Sequence, residues 1–242
     1  MNDKLYIVIP AYNEEANIKQ VIEEWYPVAE AHGEDSRLVI VNDGSKDKTY
    51  NIISSMAKDM PLLVALNKEN GGHGAAVLFG YKYALDHGAD YIFQTDSDGQ
   101  TLPSEFEPFW SGRDKYDILI GYRNNRKDGF SRIIVTRVLR LVVRICFGVF
   151  VLDANTPYRL MKAKGLKSNM KYIPKDFFLS NVALSAIYKK KGMKMHFIPI
   201  TFRPRQGGTN SINVKKIISV GIKAFSDFKV INNNIKSDTT VS

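Results

Sequence analysis

Along the first half of the chain, short apolar runs end in polar turns and alternate with stretches of helical spacing. Residues 5–9, 38–41, 62–66, 91–95 and 116–120 are apolar runs of strand length. After the first, Ile18, Val21, Ile22 and Trp25 recur at helical intervals behind PAYNEEANI, with Asn13 as the expected cap and Glu14 in the first turn. Asp43 and Gly44 turn the chain after the second run, and Ser45 is the expected cap of a helix over 47–60. The glycine-rich turn NGGHGAA at 70–76 leads into a third helix, and a short one is expected over 104–109. Strands alternating with helices predict an α/β fold, a mostly parallel sheet flanked by helices.

The second half reads differently. Residues 131–152 place Arg137, Arg140 and Arg144 on one helical stripe beside an apolar face of Ile134, Val138, Leu141, Val142 and Ile145. Two readings stand: a helix lying in a membrane interface, or a core-packing helix with a solvated basic side. Residues 213–231 repeat the theme, with Val214, Ile217, Ile218, Ile222 and Phe225 on one face and lysines elsewhere. The polar tail, 232–242, is expected to be disordered.

Charge sharpens the division. Residues 1–120 carry 10 Lys and Arg against 20 Asp and Glu, and residues 121–242 carry 24 against 5. A basic half suits nucleic acid, a phosphorylated substrate or an anionic membrane surface. Its basic segments lack interleaved aromatics and any nucleic-acid reading motif, so no nucleic-acid partner is expected. Cys146 is the one cysteine, which excludes an internal disulfide and fits a reducing compartment. The first residues lack the order of a signal peptide, and no apolar run approaches the ~20 residues of a membrane-spanning helix. The expectation is a cytoplasmic protein, peripheral on the cytoplasmic face of the membrane.

Candidate chemistry concentrates in YIFQTDSDGQTLP at 91–103. In extended chain, residues two apart face the same way, so Asp96 and Asp98 can aim at one point beyond a strand end. Two carboxylates there suit a divalent cation such as Mg²⁺ or Mn²⁺, which in turn suits a diphosphate. The plain alternative is a turn, since Asp and Gly are ordinary turn residues. In an open α/β sheet the other strand-end loops would join this edge, bringing Tyr12, Glu14, Asp43 and Gln100 to it. The NGGHGAA turn matches neither dinucleotide-binding nor P-loop spacing and reads as a tight turn, with His73 solvated. The missing spacing also speaks against a dehydrogenase.

PAYNEE at 10–15, NDGSKD at 42–47, the glycine turn at 71–74 and DSDGQ at 96–100, in that order and spacing, resemble the family 2 glycosyltransferases. The resemblance implies a GT-A fold, a Rossmann-like sheet binding a nucleotide-sugar through a DxD motif and a divalent metal. GYRNNR at 121–126, DANTPYR at 153–159 and FRPRQGGTNSI at 202–212 resemble the branch that includes dolichol-phosphate mannose synthase and bacterial polyprenol-phosphate glycosyltransferases. By position, the resemblance implies that Pro10, Ala11, Tyr12, Glu14, Asp43, Asp96, Ser97 and Gln100 bind the nucleotide-sugar. It gives Asp96, Asp98 and Gln100 to the metal, and Asp98, Arg123 and Arg205 to catalysis. Arg132, Arg137, Arg159 and Arg203 go to the acceptor. Two departures stand out. Asn42 occupies a position that is aspartate in many relatives, and residues 178–181 lack the glutamate of the polyprenol branch.

The implied reaction is inverting transfer from a UDP- or GDP-linked sugar to a lipid-linked acceptor. Polyprenyl phosphate is the expected acceptor: an ionised phosphate needs no general base, and the sparse acids and many arginines of the second half favour it. A sugar hydroxyl on a growing glycan or glycolipid is the alternative; it needs a base, and Asp176 is the candidate, its other role being a helix cap. A basic binding module without catalysis is the reading from another class. The expected organisation is a nucleotide-sugar half (1–122) and an acceptor half (123–212) of one domain, an amphipathic helix (213–231) and the tail.

Overall fold

A computed structural model describes residues 3–123, 130–203 and 214–239, with side chains described outside 130–136, 214–223 and Thr239. The strands are β1 (Leu5–Ala11), β2 (Arg37–Asp43), β3 (Leu63–Lys68), β4 (Tyr91–Gln94), β5 (Ile118–Arg123), β6 (Arg159–Lys162) and β7 (Met195–Ile200). The helices are α1 (Ile18–Ala31), α2 (Thr49–Met56), α3 (His73–Asp86), α4 (Glu107–Gly112), α5 (Phe130–Phe147), α6 (Ala163–Met170), α7 (Ser180–Lys190) and α8 (Val214–Thr239).

The strands form one sheet in the order β3-β2-β1-β4-β6-β5-β7. All neighbours run parallel except β6, which lies antiparallel between β4 and β5. The α/β expectation therefore holds, with one reversed strand. From β1 the chain crosses to β2 on one side and later to β4 on the other. Such a reversal opens a crevice at the carboxyl ends of the strands.

Side chains alternate across the sheet into two cores. Leu5, Ile7, Ile9, Phe93 and Leu119 face α1, α2 and α4, where Trp25 and Tyr158 close around Phe93 at ring separations of 5.3 and 4.7 Å. Val8, Val39, Ile92, Ile118 and Ile120 face the opposite core, with residues of α3, α5, α7 and α8. Helix α3 presses on the sheet at Gly80, where a Cβ would lie 2.4 Å from Val8 Cγ1.

Several boundaries differ from the sequence expectations. Helix α1 begins at Ile18 rather than near Glu14, because Asn13 takes a left-handed conformation (φ +53°) and is held in the loop. Helix α2 is confined to Thr49–Met56, since Ser45 and Asp47 also bond within that loop cluster. The tail is corrected too. Helix α8 continues to Thr239, with Ile231, Asn232 and Ile235 buried and Asp238 bound to Lys171 and, at 2.7 Å, to the Tyr172 hydroxyl. Burial at i and i+4, plus a distant ion pair, orders a segment whose composition reads as disordered.

Candidate active site

Three polar loops meet over the carboxyl ends of β1, β2 and β4. The first two are zipped together by mutual hydrogen bonds. Asn13 N–H donates to Ser45 Oγ (3.0 Å), Lys46 N–H to Asn13 Oδ1 (2.8 Å), and Glu14 N–H to Thr49 Oγ1 (2.8 Å). Glu15 N–H donates to Asp47 Oδ2 (3.2 Å), and Lys48 N–H returns to Glu15 Oε2 (3.0 Å). The two motifs therefore fold as one unit, leaving Tyr12 projecting 44% exposed beside a buried Glu14.

Asp43 joins the second loop to the glycine turn. Its buried carboxylate accepts from Lys68 Nζ (2.5 Å), Gly71 N–H (3.0 Å) and Gly72 N–H (2.8 Å). The glycine turn thus aims two backbone donors at a protein carboxylate, as the tight-turn reading holds. Asn70 Nδ2 donates to the Asp43 carbonyl at 2.9 Å, and a Cβ on Gly44 (φ +66°) would meet Asn70 N at 2.7 Å. Asn42, the departure from the family pattern, pairs with its cross-strand neighbour Asn67 (2.7 Å).

The third loop carries the carboxylates. Asp96 Oδ1 is sealed from solvent and has no hydrogen-bond partner among the described residues. Among the described residues the nearest cationic candidate is His73 Nε2, 3.8 Å away and too far for a hydrogen bond. Withdrawal from water raises the Asp96 pKa, and the charge of Asp98 adds to it, while His73, Arg123 and Arg159 oppose the rise. Asp98 Oδ1 accepts from Gln100 N–H (3.2 Å), and Gly99 (φ +69°) turns the chain between them. An orphaned buried oxygen beside a second carboxylate fits an oxygen-seeking divalent cation.

These loops enclose a cleft of about 370 Å³ lined by Pro10, Ala11, Tyr12, Glu14, Asp43, Asn70, Gly72, His73, Ala76, Asp96, Ser97 and Asp98. Asn70 and His73 are members that the sequence reading left out of the site. Their signal was the glycine turn at the head of α3.

Other expected residues lie elsewhere. Gln100 is absent from the cleft lining; its Nε2 donates to the Arg203 carbonyl (3.0 Å), and Arg203 N–H donates to the Gln100 carbonyl (2.8 Å). The Arg203 guanidinium is held by Glu24 at 2.9 Å, so this acceptor candidate ties the 203 segment to α1 and the third loop. Arg123 ends β5 with its guanidinium 3.8 Å above the Phe202 ring. Arg137 is exposed on α5. Asp176 is exposed in the loop before α7, whose cap residue is Leu179 with no side-chain cap bond; the capping role expected of Asp176 is absent. The backbone of that loop packs against α3, where a Cβ on Gly74 would fall 2.1 Å from the Phe177 carbonyl oxygen. Arg205 and the side chain of Arg132 lie outside the described residues.

Arg159 departs furthest from expectation. It is fully buried. Its guanidinium donates to the carbonyls of Thr156 (2.5 and 3.1 Å), Asn181 (3.0 Å) and Ala154 (3.2 Å) and to Ser185 Oγ (3.3 Å). Burial pulls its pKa down, while Tyr81, Asp153 and Asp96 push it back up. Arg159 locks the strand entry to α7 and presents nothing to an acceptor.

A mostly parallel sheet with a polar cleft at its strand reversal and a carboxylate pair in the loop after β4 defines a GT-A glycosyltransferase. The Glycosyl transferase family 2 profile matches residues 6–184, and the chain belongs to that family. It is similar to the UDP-N-acetylglucosamine–dolichyl-phosphate N-acetylglucosaminyltransferase of Methanococcus voltae, 27% identical over 83% of this chain and 86% of the relative. It is also similar to the undecaprenyl-phosphate 4-deoxy-4-formamido-L-arabinose transferase of Pectobacterium atrosepticum, 23% identical over 88% of this chain and 64% of that protein. Among solved structures, glucosyl-3-phosphoglycerate synthase from Mycobacterium tuberculosis, crystallised with Mn²⁺ and UDP-glucose, superposes with a TM-score of 0.66. That match has 18% identity and covers 96% of this chain and 79% of that one.

Proposed function

We propose that this glycosyltransferase moves a sugar, with inversion, from a nucleoside-diphosphate sugar to polyprenyl phosphate. The observation that carries the donor site is the cleft itself, with the orphaned Asp96 Oδ1 beside Asp98 at the strand reversal. Asp96 and Asp98 would hold a divalent cation, Mg²⁺ or Mn²⁺. When bound, that ion supplies Lewis-acid neutralisation of the charge on the diphosphate. Tyr12, Glu14 and the Asp43 loop bind the nucleoside. Arg123 and Arg205 add positive charge where the diphosphate departs.

The names of the two relatives support a polyprenyl phosphate acceptor, and the first supports the uridine arm of a UDP- or GDP-linked donor. A phosphate acceptor arrives ionised and needs no base. One observation favours the sugar-hydroxyl reading instead. Asp176 stands in the loop that abuts Gly74 beside the cleft residue His73.

The test is thermal unfolding with UDP, GDP, CDP and dTDP, each with and without Mn²⁺. A nucleotide at about 100 times its Kd adds about 2.7 kcal/mol. The expected result is stabilisation by one nucleotide, dependent on Mn²⁺ and lost in Asp98→Ala. No shift with any nucleotide in a folded sample refutes the donor site. Turnover that survives Asp176→Asn but not Arg205→Ala supports the phosphate acceptor, and the reverse pattern assigns a hydroxyl.

A further inference from the structure

We propose that the outward face of α5, with the turn behind it, is the surface by which this protein lies on an anionic lipid bilayer. The inference deepens the lipid-acceptor reading but rests on a different part of the molecule from the donor cleft.

Helix α5 is apolar on two sides. Its inward side is Val143, Cys146 and Phe147, all buried, with Phe147 5.5 Å from Phe228 of α8. The face of Val138, Leu141 and Ile145 is a different one. At 100° per residue these three lie within roughly 60° of one another, and they are 42%, 57% and 59% exposed. A core-packing helix with a solvated polar side would bury these residues. Here the core uses other positions, and the second apolar face points away from the described residues.

The turn behind the helix extends this face. Gly148 (φ +71°) reverses the chain, with its N–H on the Arg144 carbonyl at 2.9 Å. Arg140 then bonds the Leu152 carbonyl, and its guanidinium lies 6.0 Å from the Phe150 ring. Phe150 (59% exposed) and Leu152 (38%) project from this turn. Five of the eight large apolar side chains exposed among the described residues fall within 138–152. Isolated exposed leucines need no explanation, but a contiguous patch does.

Charge selects the occupant. Residues 137–152, which carry this face, hold three arginines, Arg137, Arg140 and Arg144, and no acid. Arg137 and Arg144 are exposed on α5 beside the apolar face. A two-fold contact between copies would set this cationic surface against itself. An anionic bilayer offers both an apolar phase for the five side chains and phosphates for the arginines. No described helix is long and apolar enough to cross a membrane, so the contact is with its surface. The placement also suits the chemistry. β5 ends and β6 begins on the sheet edge that carries the cleft, and α5 spans the interval between them.

The test is sedimentation of the whole chain with vesicles of phosphatidylcholine, with and without phosphatidylglycerol, beside its oligomeric state in solution. The protein should pellet with phosphatidylglycerol vesicles at low salt and be released as salt rises. Each near-surface arginine contributes about fivefold, so Arg144→Ala should lower partitioning about fivefold. Leu141→Glu/Ile145→Glu should abolish it. Both variants change exposed side chains and should keep the wild-type melt and nucleotide response. That response separates failure here from failure of the donor site. Three results overturn the proposal: wild-type protein that stays in the supernatant, a glutamate variant that pellets like wild type, or a wild-type dimer that the glutamate variant breaks.

Discussion

Replacing Arg159 with methionine separates a structural from an acceptor-binding role. The side chain donates to the carbonyls of Ala154, Thr156 and Asn181, all at a fully buried position. Methionine fills similar volume but removes hydrogen bonds from a charged donor to three carbonyls, at about 1.5–3 kcal/mol each, although Ser185 Oγ stays within reach of those of Ala154 and Asn181. Part of that is offset, because a cation no longer has to be held out of water. A net loss of about 3 kcal/mol follows, and a chain of this size melts about 2–4 °C lower per kcal/mol. The melting temperature should therefore fall by about 6–12 °C. Arg159→Lys keeps the charge, but a single ammonium lacks the planar fork that reaches three carbonyls, so most of the loss should remain. Differential scanning calorimetry reads both variants, with nucleotide added to follow the cleft. If Arg159→Met melts within about 2 °C of wild type and only the acceptor KM rises, the structural role is wrong.

Gly74→Ala should destabilise by about 1–3 kcal/mol in urea titration, because the new Cβ meets backbone of the 177–178 loop that no rotamer can relieve; an unchanged or raised midpoint would show that the loop need not come so close. Asp43→Ala leaves Lys68 and two glycine N–H groups without their acceptor, so stability should drop by about 2–3 kcal/mol and the nucleotide-induced shift should shrink with it. Hydrogen bonds from Lys171 and Tyr172 hold the Asp238 pKa below its ordinary value. A depressed carboxylate stabilises above its unfolded pKa, about 3.9, and loses that contribution as pH falls through the lower folded value. Protection of residues 233–239, taken as amide exchange relative to the intrinsic rate at each pH, should therefore be flat between neutral pH and about 5 and fall below it, and Asp238→Asn should be weakly protected throughout.

What the sequence disclosed follows from where its information is local. PAYNEE, NDGSKD and DSDGQ sit at ends of apolar runs, so strand, turn and polar cargo could be read together. The missed pieces depend on distant partners. β6 is four residues, Arg159–Lys162, too short for any period to show, and β7 carries a proline, Pro199, that argues against a strand. Arg159 reads as a surface cation because its acceptors lie up to 26 residues away. Gln100 and Arg203 look like ligands until they are found bonded to each other's backbone. The last turns of α8 read as a polar tail because Lys171 and Tyr172, which hold Asp238, are 67 and 66 residues upstream.

The reversed strand also governs how this chain matures during synthesis. β4 and β5 are never neighbours; β6 lies between them and pairs with both. A ribosome that has released residues 1–123 has released the entire donor cleft, yet the β4 edge still waits for residues 159–162. That edge carries Tyr91, Ile92 and Phe93, and an unpaired apolar strand recruits other chains. The nascent first half should therefore depend on a chaperone until β6 docks. Splitting the gene between the halves should give fragments that are insoluble apart and fold only when produced together.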